Sequence, residues 1–404
     1  MRNFIGQLKN QTPFIMVREI TTEKLPIKLW IDELEEGALE QAKNLANFPF
    51  AVKHIALMPD CHQGFGMPIG GVMATREVIV PNAVGVDIGC GMCAVQTSLE
   101  GISRKEFTDI MSGIRSRIPL GHKHHKKARD RSRMPTEEPP GDLPVVSREY
   151  ESATRQLGTL GGGNHFIEMQ KGSDGQIWIM VHSGSRNIGK QVADHYNRLA
   201  IKLNEEWDSP VPRAHQLAWL PLDSREGRLY IREMDYCLSF AFASRKLMMD
   251  QIIQVFRSFF GAQFKTAPMI NIAHNYAAFE THFGMEVVVH RKGATKAAKD
   301  TTGIIPGSQG AHSYIVRGKG NKDSFESCSH GAGRVMGRKE AIRTLNLGDE
   351  IRKLDQKGII HAIRTQRDLD EASTAYKDIS QVMKLQSDLV VVLTELSPLA
   401  VIKG

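Results

Sequence analysis

Between residues 54 and 98 the chain reads HIALMPDCHQGFGMPIGGVMATREVIVPNAVGVDIGCGMCAVQTSL, and glycine or proline breaks almost every apolar run within a few residues. A helix needs roughly ten uninterrupted residues to present a face, so this texture selects strands joined by tight turns. It also places polar residues inside glycine-rich turns at strand ends. Such positions are poor for core packing and good for binding or catalysis.

Other segments carry the helical period: IDELEEGALEQAKNLA from Asp32, then 103–117, 188–206 and 229–260, with further helices expected over 334–345 and 380–396. Strands are expected in QIWIMVHSGSR (176–186), MEVVVHRKG (285–293) and HSYIVRG (312–318), and INIAHNYAAF (270–279) reads as a turn entering a helix. The segment 121–144, GHKHHKKARDRSRMPTEEPPGDLP, is basic, then acidic and proline-rich, and reads as a flexible charged loop. It is either a solvated excursion or an arm that grips phosphate. No repeat or linker divides the chain, so one mixed helix-and-sheet unit is expected over residues 1–404.

Four turns hold metal-type donors. GVDIGCGMC offers Asp87 and Cys90 three residues apart. GTLGGGNHFIEM leads three glycines into Asn164, His165 and Glu168. VHSGSR offers His182 with Arg186 placed for phosphate, and AHNY offers His274 and Asn275. Each of these alone is as compatible with a structural residue as with a ligand. Asp87, Cys90, His165, His182 and His274 together are one ligand too many for a tetrahedral zinc site. Two divalent ions sharing the Cys90 thiolate would use all five, a device common in phosphoryl chemistry. Cys90 and Cys93 form the only C-x-x-C, so a four-cysteine zinc site is excluded. The five cysteines are an odd number in a long chain, which argues against a disulfide framework.

In SCSHGAGRVM, His330 precedes Gly331, Ala332, Gly333 and Arg334. The small residues leave room for a bulky group, and the arginine suggests an anionic one. A helix starting just after them would aim free N–H groups at an anion. Neutral imidazole can contact phosphate or attack it. GIIPGSQGAHS supplies a second glycine-rich anion candidate through Gly307, Ser308 and Ser313, without the Walker pattern. His62, in MPDCHQGFG, sits in similar company and is a candidate for an RNA or metal region. The formal charge of +7 favours an anionic partner such as nucleic acid. No apolar run reaches the roughly 18 residues a bilayer span requires, and MRNFIGQLKNQTPF lacks a signal-peptide core, so no membrane association and a cytoplasmic location are expected.

MPDCHQGFGMPIGG, VGVDIGCGM, LGGGNHFIE, VHSGSR, HNY, RKGAT, PGSQG, SHGAGR and terminal VIKG occur in this order, and the chain thereby resembles the RtcB family of RNA-splicing ligases from about residue 20 to 404. The resemblance implies an α+β fold: a single domain of packed β-sheets surrounded by helices. It implies a ligase joining an RNA 3′-phosphate or 2′,3′-cyclic phosphate end to a 5′-hydroxyl end, with GTP as co-substrate and two Mn²⁺ per site, in tRNA splicing or RNA repair. Asp87, Cys90 and His165 would hold one manganese, and Cys90, His182 and His274 the other. His330 would become linked to GMP. The nucleotide pocket would comprise Asn164, His165, Phe166, Ile167, Glu168, His274, Asn275, Pro306, Gly307, Ser308, Gln309, Ser313, His330, Gly331, Ala332, Gly333 and Lys403. Glu168 and Lys403 would meet the guanine. RNA would be held by the basic surface, with His62, Arg186, Lys126 and Arg129 as candidates, and an archease-type activator is a further partner of the family. The run HKHHKKARDRSR, Cys93 and Gly337 (where serine is expected) depart from the pattern. A metal-dependent phosphoesterase acting on RNA ends or cyclic phosphate would need the same metal ligands but no nucleotide. A non-catalytic RNA-binding protein would need neither the metal ligands nor His330.

Overall fold

The structure, a computed structural model, describes residues 18–404; the opening MRNFIGQLKNQTPF lies outside them. Two large sheets organise it. The first has six strands in the order Arg18–Ile20, Ile27–Leu29, Ala51–Phe65, Met67–Thr75, Met285–Lys292 and Asn275–His282. The second has seven, in the order Ile270–Ala273, Gly91–Gln96, Ile177–Ser183, Phe166–Gly172, Val390–Lys403, Ser313–Gly318 and Thr302–Ile305. All neighbours are antiparallel except Ile27–Leu29 beside Ala51–Phe65. In the seven-stranded sheet the two edge strands approach each other, curling it toward a barrel. Met92, Ala94, Trp178, Met180, Ile304, Ile315 and Leu396 fill the interior.

Glycine does what the 54–98 texture predicts. Gly66, at φ +68°, turns the chain between the long hairpin strands, a conformation cheap only without a Cβ. The sheets meet through Ala56, Val72 and Val289 of the first and Tyr314, Val316 and Val390 of the second. Helices flank them. Arg104–Arg117 opens with a capping box between Ser103 and Glu106 and packs, with the C-terminal half of helix Arg225–Phe260, on the outer face of the curled sheet. The N-terminal half of that 36-residue helix packs against helices Pro144–Gln156 and Arg186–Glu206. The expected α+β class, packed sheets with surrounding helices, is what is observed. No described helix is long and apolar enough to cross a membrane.

Three expected elements differ. Residues 270–279 form two strands, Ile270–Ala273 and Asn275–His282, because each completes the edge of a different sheet. The 380–396 segment is a short helix, Ile379–Leu385, followed by the strand Val390–Lys403; its β-branched VVVL run suits a pleated surface. The third helix covers only Arg338–Thr344, eight residues past His330. The 121–144 segment contains one 3₁₀ turn, Arg131–Arg133. His125 and Arg129 N–H groups donate to Arg155 and Thr154 carbonyls, and the Tyr150 hydroxyl bonds Thr136 and Glu137 carbonyls.

Candidate functional site

Antiparallel register gathers the metal-type donors. Ala273 pairs with Gly91, Gly91 with Ser183, Met92 with His182, and His182 with Phe166. Residues at the end of one strand therefore sit beside residues at the start of the next. His274, Cys90, His182 and His165 line up along one rim of the curled sheet.

Their atoms converge. Cys90 Sγ lies 3.3 Å from His182 Nε2 and 3.5 Å from His165 Nε2. These three residues form a group whose donor atoms all lie within 4.8 Å of one another. Asp87 joins through its Oδ2, 3.1 Å from His165 Nε2. His274 joins by edge contact with the His182 ring, centroids 5.2 Å apart. The tautomers are set from behind: His165 Nδ1 donates to the Leu160 carbonyl at 3.1 Å and His182 Nδ1 to the Asn164 carbonyl at 3.0 Å. The His165 Nε2 lone pair then faces the Asp87 carboxylate and the Cys90 sulfur, and the His182 Nε2 lone pair faces the same sulfur, acceptor against acceptor. Only a proton or a cation between them relieves that repulsion, and the spacings suit atoms sharing an ion roughly 2 Å from each. His274 Nδ1 is buried with no partner. The donor set of sulfur, imidazole and carboxylate thus fits divalent transition metals.

The electrostatics agree. Burial, then neighbouring histidines, push His182 and His274 well below the usual imidazole range, so both are neutral at pH 7, the form that metal ligation requires. Burial works to raise the Asp87 pKa, but a proton between His165 Nε2 and its carboxylate, with the positive charge that proton brings and Arg186 nearby, outweighs burial and holds the carboxyl at about 2. Burial and the adjacent Asp87 raise the Cys90 thiol well above its ordinary value. That thiol becomes a thiolate readily only beside a bound cation. Arg186, in a left-handed conformation at φ 63°, brings its guanidinium alongside the His165 ring.

His330 stands next to this cluster, its ring 4.8 Å from that of His274. What holds it is Asp60, which no local feature of the sequence singles out. Asp60 Oδ2 accepts from His330 Nδ1 at 2.6 Å, from the His330 N–H at 3.0 Å and from the Gly331 N–H at 3.3 Å. Asp60 is fully buried, at 0% exposure, while the His330 side chain keeps 17%. With Nδ1 protonated toward Asp60, Nε2 is left with a free lone pair. The short motif PDCH inside a glycine-rich strand was the available signal, and nothing local linked it to a residue 270 positions away.

This corrects two expectations. The His330 and Gly331 N–H groups are spent on Asp60, and the helix expected to aim its N–H groups at an anion begins only at Arg338. Arg334 is likewise committed, donating to Glu371 at 2.8 Å, the Asp370 carbonyl at 2.7 Å and the Met336 carbonyl at 3.0 Å. The small residues after His330 admit the chain itself: a Cβ on Gly333, at φ +74°, would collide with the Asp60 carbonyl.

The other predicted pocket residues fall beside the rim. Phe166 meets the His182 ring edge-on at 5.5 Å. Glu168 is buried, and burial raises its carboxyl to about 8 against the Gln170 amide, which donates at 2.6 Å, and the nearby Lys403 charge. Gln170 also donates to Ser313 Oγ, which accepts from the Gly307 N–H at 3.2 Å. Lys403 Nζ donates to the Gly163 carbonyl at 2.9 Å. Pro306 lies against Gly331, and the Asn275 amide bonds the Asp87 carbonyl and the Gly293 N–H. Ser308 accepts the Ala311 N–H through its carbonyl, and Gln309 reaches the Glu371 carbonyl. The Ile167 and Ala332 side chains point into apolar cores, so only their backbones face the pocket region. His62 Nδ1 bonds the Asp60 carbonyl at 3.0 Å, near His330. Lys126 is exposed, and Arg129 lies over the helix Pro144–Gln156, anchored at Thr154.

A family model described as "tRNA-splicing ligase RtcB" matches residues 41–138 and 131–404. The chain is similar to the RNA-splicing ligase RtcB of Escherichia coli (strain K12), 39% identical over 409 residues covering 95% of this chain and 99% of the relative. It is similar to the tRNA-splicing ligase RtcB of Thermococcus kodakarensis, 31% identical over 446 residues covering 92% of each chain. The RNA-splicing ligase RtcB homolog 1 of Entamoeba dispar is 31% identical over 447 residues, covering 91% of this chain and 82% of the relative.

Proposed function

The chain belongs to the RtcB family, and we propose that it is a GTP- and Mn²⁺-dependent RNA ligase that joins a 3′-phosphate or 2′,3′-cyclic phosphate end to a 5′-hydroxyl end. The observation that carries this reading is the His330–Asp60 pair set against the Cys90 cluster, a nucleophile beside a metal site.

Asp87, Cys90 and His165 would hold one ion, and Cys90, His182 and His274 the second, with Cys90 shared. When bound, the ions neutralise charge on phosphate oxygens and raise the acidity of nearby water. His330 Nε2 attacks the α-phosphorus of GTP; the N–P bond forms and the bond to pyrophosphate breaks. Asp60 accepts the Nδ1 hydrogen bond throughout and stabilises the positive charge that the ring gains. A cyclic phosphate end is first hydrolysed to a 3′-phosphate. An oxygen of that 3′-phosphate attacks the phosphorus on His330, releases the imidazole and leaves RNA-(3′)pp(5′)G. The 5′-hydroxyl of the second RNA then attacks the 3′-phosphate, loses its proton, and GMP departs.

Glu168, Lys403, Ser313, Phe166, Asn164, Asn275, the backbone of Ile167 and of 331–333, and the turn Pro306–Gln309 would line the nucleotide pocket. Arg186 and His62 would contact the reacting phosphates. Lys126 and Arg129 would hold the RNA backbone without reading sequence. A role in tRNA splicing or RNA repair, a cytoplasmic location and activation by an archease-type partner complete the proposal.

The test is incubation with GTP labelled at the α-phosphate and Mn²⁺, then a denaturing gel, with His330→Ala alongside. Label that survives denaturation in the wild type and vanishes in the variant is expected. Absence of label on metal-loaded, folded protein would overturn the ligase reading in favour of the phosphoesterase.

A further inference from the structure

Arg245 lies midway along the helix Arg225–Phe260 and is fully buried, at 0% exposure. Its donors go to neutral oxygens. NH1 donates to the Gly89 and Ser183 carbonyls, both at 2.8 Å, and Nε to Asn271 Oδ1 at 2.7 Å. NH2 is buried without a partner, and the guanidinium lies 4.8 Å from the Phe242 ring centroid. Burying a guanidinium costs several kcal/mol unless its surroundings repay it, so an apolar side chain would serve helix packing better.

The bonds themselves show a pattern. Gly89 precedes Cys90, Ser183 follows His182, and Asn271 lies on the strand Ile270–Ala273, which ends just before His274. One planar fork therefore ties together the three segments that deliver Cys90, His182 and His274. His165 is held from elsewhere, its Nδ1 donating to the Leu160 carbonyl, and the Asp87 carboxylate is held against His165 Nε2.

We infer that Arg245 is a positioning residue that sets the spacing of the Cys90–His182–His274 ligand set, and so determines the affinity of that metal subsite more than that of the Asp87–Cys90–His165 one, with which it shares only Cys90. This rests on the two-metal reading proposed above. The fork geometry is essential, because a lysine at this position keeps the charge but has no planar set of donors to bridge three segments.

The experiment is equilibrium dialysis of the full chain against Mn²⁺, with Co²⁺ as a second probe whose visible spectrum reports thiolate ligation. The variants are Arg245→Lys and the milder Asn271→Ala, with His165→Ala and His274→Ala as single-subsite references. Thermal melts identify any variant that does not fold, in which case Asn271→Ala carries the test. The expected result is two ions in the wild type and, in Arg245→Lys, one ion held normally with the second weakened about 10- to 100-fold. Combining Arg245→Lys with His274→Ala should cost the remaining ion little, whereas combining it with His165→Ala should remove both. Equal weakening of both ions, or no weakening, in a folded variant overturns the inference. A wild type that holds fewer than two ions overturns the two-metal reading, a result that no Arg245 outcome mimics.

Discussion

Asp60→Asn isolates the contribution of a single charge to His330, the proposed nucleophile. The substitution keeps the volume and one acceptor oxygen for the His330 and Gly331 N–H groups, which approach at 3.0 and 3.3 Å. What it removes is the negative charge at 2.6 Å from His330 Nδ1. A hydrogen bond to a charged group contributes about 1.5–3 kcal/mol. At 1.4 kcal/mol per tenfold, its loss predicts a fall of roughly 10- to 150-fold in the rate of guanylate transfer to His330. If the asparagine amide turns its N–H₂ toward the ring, the imidazole proton moves to Nε2 and the lone pair faces the wrong way. The fall would then be larger, toward about 10⁴-fold. The assay is single-turnover labelling by α-labelled GTP under saturating Mn²⁺, with Mn²⁺ binding measured in parallel. Asp60 makes no bond to the Cys90 cluster, so metal binding should not change. Wild-type labelling rates would refute the assigned role of Asp60. Loss of metal together with labelling would show that Asp60 acts on the cluster instead.

Burial raises the Glu168 carboxyl to about 8, well above its unfolded value near 4.5, so the nucleotide-free protein carries a cost that grows as pH rises between those values and is fully present above about 8. Glu168→Gln should raise the thermal stability of the free protein on the alkaline side, by on the order of a few kcal/mol at most, with no gain below about pH 4.5, while weakening GTP binding; melts across pH decide this. Gly333→Ala forces a Cβ into the Asp60 carbonyl at φ +74° and should cost about 1–3 kcal/mol in denaturant unfolding and slow labelling by displacing the Asp60 strand. Arg334→Ala strips one partner from Glu371, whose side chain is 1% exposed, and should destabilise by roughly 3 kcal/mol in chemical denaturation while leaving metal stoichiometry at its wild-type value.

The extent to which the site could be read from the sequence varied with how local each interaction is. Donor types in glycine turns were legible, because a cysteine, a carboxylate and histidines outside any apolar period have few structural uses. Asp60 was not, because its importance comes from a contact across 270 positions, and in isolation PDCH resembles many strand ends. Arg334 looked free for the same reason: its partner Glu371 is 37 residues away in a 3₁₀ segment. Arg245 sits within a helical period, where nothing marks one arginine among other charged residues as buried.

Element type followed the same division. The hairpins at 51–75 and the helices at 104–117, 186–206 and 225–260 obey their own patterning, since glycine conformation and apolar period act within a few residues. Residues 270–279 became strands because sheet edges elsewhere in the molecule were available to pair with them, and 390–396 because Ser313–Gly318 pairs along it inside the seven-stranded sheet. Side-chain chemistry is carried by each residue wherever it sits, so the metal-type side chains, His330 and the family motifs were already present in the linear chain. Which of those side chains come together is a property of strand register. Register is settled only when whole sheets pair, pack and exclude water together.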